Sequence, residues 1–134
     1  MAWPGALETT LPLPLAEAEG LVRASLSRQG FGVLTEIDVQ ATLQAKLGAD
    51  WHPFKILGAC NPAIAHQALQ LDPAIALMLP CNVVLEEQVQ GQTHVAIADP
   101  RAVMPGPGFK PVADQALARL EVVLQELIPV SQAG

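Results

Sequence analysis

The sequence predicts an α+β fold, a mainly antiparallel β-sheet with helices packed on one face. Strand-like and helix-like segments occur in mixed order, and two adjacent strands form a clear hairpin. Hydrophobic residues make up 51% of the chain but aromatic residues only 4%, which suits helices packed on a sheet. At 134 residues the chain can bury a core without a metal or disulfide. We expect one domain over residues 1–134, globular from about 6 to 128, with a short disordered tail at 129–134.

The first half of the chain alternates strands with amphipathic helices. Residues 7–13 alternate in polarity beside two prolines, which is typical of a strand at a sheet edge. Apolar residues then recur at intervals of three and four up to Gly30, where this helix ends. Residues 31–37 form a second strand, with the odd-numbered residues predicted on one face and the even-numbered ones on the other. Asp38 is placed to cap a short helix that ends at Gly48.

The third strand spans residues 54–60 and leads into a helix with a well-marked start. Asn61 is a good N-cap residue, and Pro62 suits the first helical position because the N–H that proline lacks has no partner there. This helix must end before Pro73, since the residue before a proline avoids helical geometry. The order of strand, cap and helix places Cys60 at a helix N-terminus.

The clearest hairpin joins residues 81–89 to residues 92–98 through a two-residue turn that contains glycine. With that turn, Glu87 is predicted to face His94 across the ladder. A loop rich in proline and glycine follows the hairpin. The last element is an amphipathic helix that we expect to end at Pro129.

Charge and hydropathy argue against two classes of partner. Seven basic and thirteen acidic residues give a net charge of −6 without any Lys/Arg cluster, so we expect no nucleic-acid partner. The longest uncharged stretches contain Pro, Asn and Gln and cannot form a lipid-spanning helix, so we expect no membrane association. The first residues do not combine a positive region with a following apolar segment, so we expect no secretory signal. We therefore predict a cytoplasmic protein whose two cysteines are free thiols.

The two cysteines are the first candidate functional residues. Cys60 precedes the Asn61 cap, where the positive end of a helix dipole favours a thiolate nucleophile; the alternative is a buried core residue. Cys81 starts the next strand and precedes Asn82. Antiparallel strands would bring both cysteines to one end of the sheet, where they could hold a soft metal, whereas parallel strands would separate them by a strand length. The side-chain amides of Asn61 and Asn82 could orient a ligand, or they could form hydrogen bonds with backbone groups of the adjoining loops.

Two charged residues inside strands are further candidates. Glu36 is predicted on the same side of its strand as Leu34, and Lys55 on an apolar face of another strand. We keep Glu36 and Lys55 as ligand-binding candidates, with a structural ion pair as the alternative, because an isolated buried charge is costly. His52 is expected in a loop and His94 on the surface. The chain contains no phosphate-binding loop, serine-hydrolase motif or local zinc motif.

Three segments resemble the signature stretches of a known family. They are GFGVLTEIDV (residues 30–39), ILGACNP (56–62) and LPCNV (79–83). In this order they are similar to domain-of-unknown-function family number 302, a group of small prokaryotic proteins, and the resemblance covers residues 8–127. It implies one α+β domain with a curved antiparallel sheet and flanking helices, comparable to the TATA-binding protein, and a homodimer. It implies no activity or cofactor, because none is assigned to the family.

Three hypotheses for the function remain open. The first is a homodimeric module that binds a small molecule or a soft metal near Cys60 and Cys81. The second is a thiol-dependent enzyme of redox or sulfur chemistry, with Cys60 as nucleophile and Glu36 or Lys55 moving protons. The third is a protein-interaction module whose cysteines are structural. We favour the first, because no convincing general base accompanies Cys60 in the sequence.

Overall fold

The chain folds into one five-stranded antiparallel sheet with helices, which confirms the α+β prediction. The computed structural model describes residues 2–133, and the side chains of residues 2–132. The strands are β1 (Ala6–Leu11), β2 (Gly32–Asp38), β3 (Phe54–Cys60), β4 (Cys81–Val89) and β5 (Gln92–Ala98). The helices are α1 (Leu15–Arg28), α2 (Val39–Leu47), α3 (Pro62–Leu71), α4 (Pro100–Val103) and α5 (Lys110–Ala133), with a 3₁₀-helix at Pro73–Met78.

The strands lie in the order β1-β5-β4-β3-β2, so β1 and β2 are the two edges. The main core lies between one face of this sheet and helices α1 and α5. Each large side chain buried there contributes about 1.5–3 kcal/mol to folding. The largest fully buried members are Leu11, Val22, Leu26, Leu57, Val83, Leu85, Val95, Ile97, Leu120, Val123 and Leu127.

A second, smaller core joins α3, the 3₁₀-helix, α4 and α5. Its apolar side chains border the ends of β3 and β4, where the two cysteines lie. The α3 helix begins as expected, with Asn61 as N-cap and Pro62 at its first position. The buried members of this core are Ile64, Ala68, Ile75, Met104, Val112, Ala113 and Ala116.

A β-bulge in β2 overturns the strict alternation predicted for this strand. Val33 and Thr35 pair with the consecutive residues Ala59 and Gly58, so Leu34 is an extra residue without a partner in β3. An extra residue reverses which side chains face which side of a sheet. The prediction that all odd-numbered residues of β2 share one face is therefore wrong, because the bulge separates Val33 from Thr35.

A second register shift changes the partner predicted for His94 in the hairpin. The turn at residues 90–91 has two residues as expected, and Gly91 takes the positive φ that it requires. The ladder slips by one residue before the turn, so His94 pairs with Glu86 rather than with Glu87. Glu87 instead accepts hydrogen bonds from the backbone N–H groups of Leu15 and Gly91.

The last helix is longer than the sequence predicts. It passes through Pro129 and ends at Ala133, whereas we expected the helix to end at Pro129. The disordered tail expected at residues 129–134 stays a prediction, and residue 134 lies outside the described residues. Val130, the residue after Pro129, packs against the main core. Between residues 2 and 133, none of the helices combines the length and apolar character needed to cross a membrane.

Candidate functional site

The two cysteines lie at the same end of the sheet. Strands β3 and β4 are antiparallel, and Ala59 pairs with Cys81, so Cys60 follows the paired position by one residue. Both cysteines are free thiols; Cys81 is 8% exposed, and Cys60 is half-buried. Of the two arrangements considered from sequence, the structure has the one that brings the cysteines together.

Both cysteines line one small apolar cavity together with Met104. Its volume is about 30 Å³, close to the space that one water molecule occupies in the liquid. Its remaining walls come mainly from apolar side chains of β3, α3, α5 and the segment before β4. A cavity of this size can enclose a single ion or atom but not an organic molecule. It therefore argues against the small-molecule part of the first hypothesis at this site and leaves the metal part.

Met104 is the residue of this cavity that the sequence analysis missed. It follows α4, belongs to the second core and is 3% exposed. It stands 23 residues beyond Cys81 in a proline-rich stretch, so no local spacing connects it to the cysteines. Only the packing of α4 against α5 brings Met104 to the cavity that the two cysteines line.

The two asparagines have different surroundings. The Asn61 side chain accepts a hydrogen bond from the Ile64 N–H at 3.3 Å and donates one to the Gln29 carbonyl at 3.4 Å. It therefore caps α3 and ties it to the end of α1. Asn82 is exposed and pairs with Gly58 in β3. Asn61 lines the sulfur cavity and Asn82 does not.

Burial changes the chemistry of both thiols. Desolvation raises the pKa of Cys60 and of Cys81, and the neighbouring Cys60 raises the pKa of Cys81 further. This effect opposes the helix dipole, which we expected to favour a thiolate at Cys60. Without a metal, burial therefore favours neutral thiols at neutral pH.

The charged candidates Glu36 and Lys55 form a structural ion-pair network at the other end of β3. Lys55 Nζ lies 2.6 Å from Glu36 Oε1 and 3.0 Å from Glu19 Oε1, while Arg23 contacts both carboxylates. Hydrogen bonds to Glu36 and Glu19 raise the pKa of Lys55. About five residues of extended strand, roughly 16 Å, separate this network from Cys60. The structure therefore does not bring Glu36 or Lys55 to the cysteines.

A second group of polar residues lies elsewhere on the sheet. His94 Nε2 is 2.7 Å from Glu8 Oε1, and His52 Nε2 is 2.6 Å from Glu86 Oε2. Trp3 packs edge-to-face against His94. The sequence analysis placed His52 in a loop and His94 on the surface opposite Glu87, and it did not connect them with Glu8 or Glu86. These residues come from separate segments that meet only through strand pairing. In the described part of the chain, no three His, Cys, Asp or Glu side chains are grouped so that they could hold a metal ion.

Comparison with known proteins gives a family and a fold. The family model "Domain of unknown function DUF302" matches residues 7–127. A crystal structure of the uncharacterized conserved protein DUF302 from Bacillus stearothermophilus is similar, with 29% sequence identity and a TM-score of 0.81. The match covers 92% of this chain and 98% of that one. No curated protein matches the chain.

Proposed function

Because the chain belongs to the DUF302 family, which is described only as a domain of unknown function, we propose a function from the cavity itself: the protein binds Cu(I) through Cys60, Cys81 and Met104. One observation carries this proposal. Cys60, Cys81 and Met104, two thiol residues and a thioether residue, all line the same apolar cavity of about 30 Å³. Thiolate and thioether sulfurs are soft ligands, which suit Cu(I), zinc and iron–sulfur clusters rather than hard ions such as Mg²⁺ or Ca²⁺.

The donor set favours Cu(I) over zinc. Structural zinc sites almost always have four ligands in tetrahedral geometry. This cavity offers three sulfurs and otherwise mainly apolar side chains, a set that suits a soft ion accepting few ligands.

Binding requires both thiols to lose their protons, because the thiolate is the metal ligand. Burial raises the pKa of both groups, so the ion has to displace two protons at neutral pH. The apparent affinity for Cu(I) should then rise about a hundredfold for each unit of pH between pH 6 and pH 8, since both thiols are protonated throughout that range. Neutral thiols also disfavour the alternative in which Cys60 is an enzymatic nucleophile.

Anaerobic titration with Cu(I) against a chromophoric copper chelator tests the proposal. We expect one ion per chain, with Cys60→Ser and Cys81→Ser each abolishing tight binding. Met104→Leu, which nearly conserves volume, should weaken binding roughly tenfold while the fold is kept. Met78→Leu is the matched control, because Met78 is 53% exposed and lies outside the cavity.

Three results would contradict the copper site. They are no competition with the chelator, an affinity for Zn(II) equal to that for Cu(I), and equal effects of Met104→Leu and Met78→Leu. Circular dichroism and thermal unfolding of each variant without metal separate lost binding from lost folding.

The proposal includes the homodimer that the family resemblance implies, and we place its interface at β2. This edge strand exposes six of its seven residues, including Leu34 at 67% and Ile37 at 48%. An edge strand with unpaired backbone groups and apolar side chains is a template for pairing with another strand. A second copy of β2, related by a two-fold axis, supplies a matching edge.

A further inference from the structure

A cavity on the opposite face of the sheet from α1 and α5 is lined by polar side chains that the copper proposal does not use. His94 of β5 pairs with Thr10 of β1 on one side and with Glu86 of β4 on the other. Glu8 lies two residues before Thr10, so its side chain points to the same face. The cavity is a groove open to solvent with a volume of about 450 Å³, which is large enough to hold part of a small organic molecule.

The hydrogen bonds in this cavity leave acceptors facing one another. Glu8 Oε2 accepts a hydrogen bond from the backbone N–H of Trp3 at 2.8 Å, and Glu8 Oε1 is 2.7 Å from His94 Nε2. When a neutral His94 donates through Nε2 to Glu8, its Nδ1 is an acceptor. That Nδ1 lies 3.9 Å from Glu86 Oε1, which is too far for a hydrogen bond. A ligand donor placed between these two atoms would satisfy both.

The charge of the lining favours a cation. Two carboxylates, Glu8 and Glu86, line the cavity, and their side chains are only 17% and 15% exposed. Among the described residues that form the lining, none is Lys or Arg. The indole of Trp3 adds an aromatic wall, and an aromatic face attracts cations.

We propose that this cavity binds a small organic cation with a primary ammonium group. Two of the three ammonium N–H groups match His94 Nδ1 and Glu86 Oε1, and the Glu8 carboxylate on the other side of the imidazole adds negative charge to the same cavity. The organic body of the ligand lies against Trp3, and the Gln88 and Gln92 side chains at the rim offer further hydrogen bonds. A bare metal ion fits less well, because the described His and Glu side chains do not converge as a ligand set.

Fluorescence titration with benzylamine tests this site. In a Trp51→Phe background, Trp3 is the only remaining tryptophan and reports binding directly. We expect saturable quenching by benzylamine and at least tenfold weaker binding of benzyl alcohol, which has the same ring without the charge. Glu86→Gln should weaken benzylamine binding roughly tenfold, because it removes a charge-assisted hydrogen bond.

Two further variants keep the test decisive. Glu17→Gln removes one negative charge from the exposed part of α1 and should leave binding unchanged. Gln92→Glu adds a carboxylate to the rim and should strengthen binding several-fold, even if Glu86→Gln proves unstable. The proposal is overturned if benzylamine gives no saturable quenching, if benzyl alcohol binds equally well, or if Gln92→Glu has no effect.

Discussion

The carboxylate of Glu87 joins three parts of the fold through one side chain. Its Oε1 accepts the Leu15 N–H and its Oε2 accepts the Gly91 N–H, both at 2.8 Å. Pro14, the N-cap residue of α1, has no side chain that can accept a hydrogen bond, so Glu87 caps this helix from a distant strand. The hydrogen bonds from Gly91 and Leu15 hold the pKa of Glu87 below its usual value.

We predict that Glu87→Gln destabilises the protein by about 1 kcal/mol at pH 7, because a helix cap and a turn contact lose their charge. A carboxylate with a lowered pKa in the folded state stabilises that state above its unfolded pKa of about 4.3. This contribution is lost as the pH falls through the folded pKa. The difference in free energy of unfolding between wild type and variant should therefore disappear in acid, as measured by urea denaturation.

Glu121→Gln is the control for this measurement, because Glu121 is exposed on α5 and also loses one negative charge. We expect it to leave the free energy of unfolding almost unchanged. Equal destabilisation by both variants, or a Glu87→Gln effect that persists below pH 3, would contradict the capping role.

The candidate residues show which chemistry sequence patterns can predict. The alternative kept for Glu36 and Lys55, a structural ion pair, is the arrangement found. At Cys60 the helix N-terminus was predicted correctly, but burial decides the direction in which its pKa moves. Desolvation depends on every neighbour packed around a group, and those neighbours are not local in sequence.

Among the secondary-structure elements, the pairing of β3 with β2 requires a glycine at position 58, opposite Thr35. A Cβ added to Gly58 would collide with the Thr35 hydroxyl and lie 2.7 Å from Pro80 Cγ. Both neighbours sit on the sheet face away from the main core. The bulge at Leu34 is what places Thr35 opposite Gly58.

We predict that Gly58→Ala destabilises the protein by about 1–3 kcal/mol, because β2 or the segment before β4 must shift to admit the methyl group. Gly20→Ala is the matched control. Gly20 lies inside α1 with nothing within 4 Å of an added Cβ, so this variant should gain about 0.5–1 kcal/mol from helix propensity. Thermal unfolding of both variants measures the two effects, and a stable Gly58→Ala protein would contradict the close packing.

Element positions were largely predictable, whereas strand register was not. The caps at Asp38 and Asn61 are found as expected, because a cap is made by residues three positions apart. Both bulges were missed, since a bulge belongs to a pair of strands and neither strand reveals it alone. Because the hairpin ladder shifts by one residue, His94 pairs with Glu86, and the Glu87 side chain caps α1 instead.

At the scale of the whole molecule, the exposed β2 edge leads to a prediction about assembly. We expect sedimentation equilibrium to give twice the chain mass of 14.1 kDa. Ile37→Lys should shift the equilibrium toward the monomer, because a charge in a strand pair disfavours edge-to-edge association. Leu77→Lys is the control, since Leu77 is 89% exposed and lies in the 3₁₀-helix away from β2.

A monomeric wild-type protein at micromolar concentration would contradict the dimer. Equal dissociation by Ile37→Lys and Leu77→Lys would place the interface elsewhere. The single domain over residues 1–134 also stays a prediction, which limited proteolysis of the intact chain can test.

The family, the α+β class and the positions of nearly all strands and helices could be predicted from the sequence, because periodicity, caps and turn residues act over a few neighbouring positions. Tertiary structure alone decided which residues meet. In the folded chain, Met104 lines the same cavity as the cysteines, whereas Glu36 and Lys55 form an ion pair at the other end of β3. Glu8, His94 and Glu86 come from three strands and line one groove. The physical reason is that cavities, desolvation and register depend on contacts between residues distant in the chain.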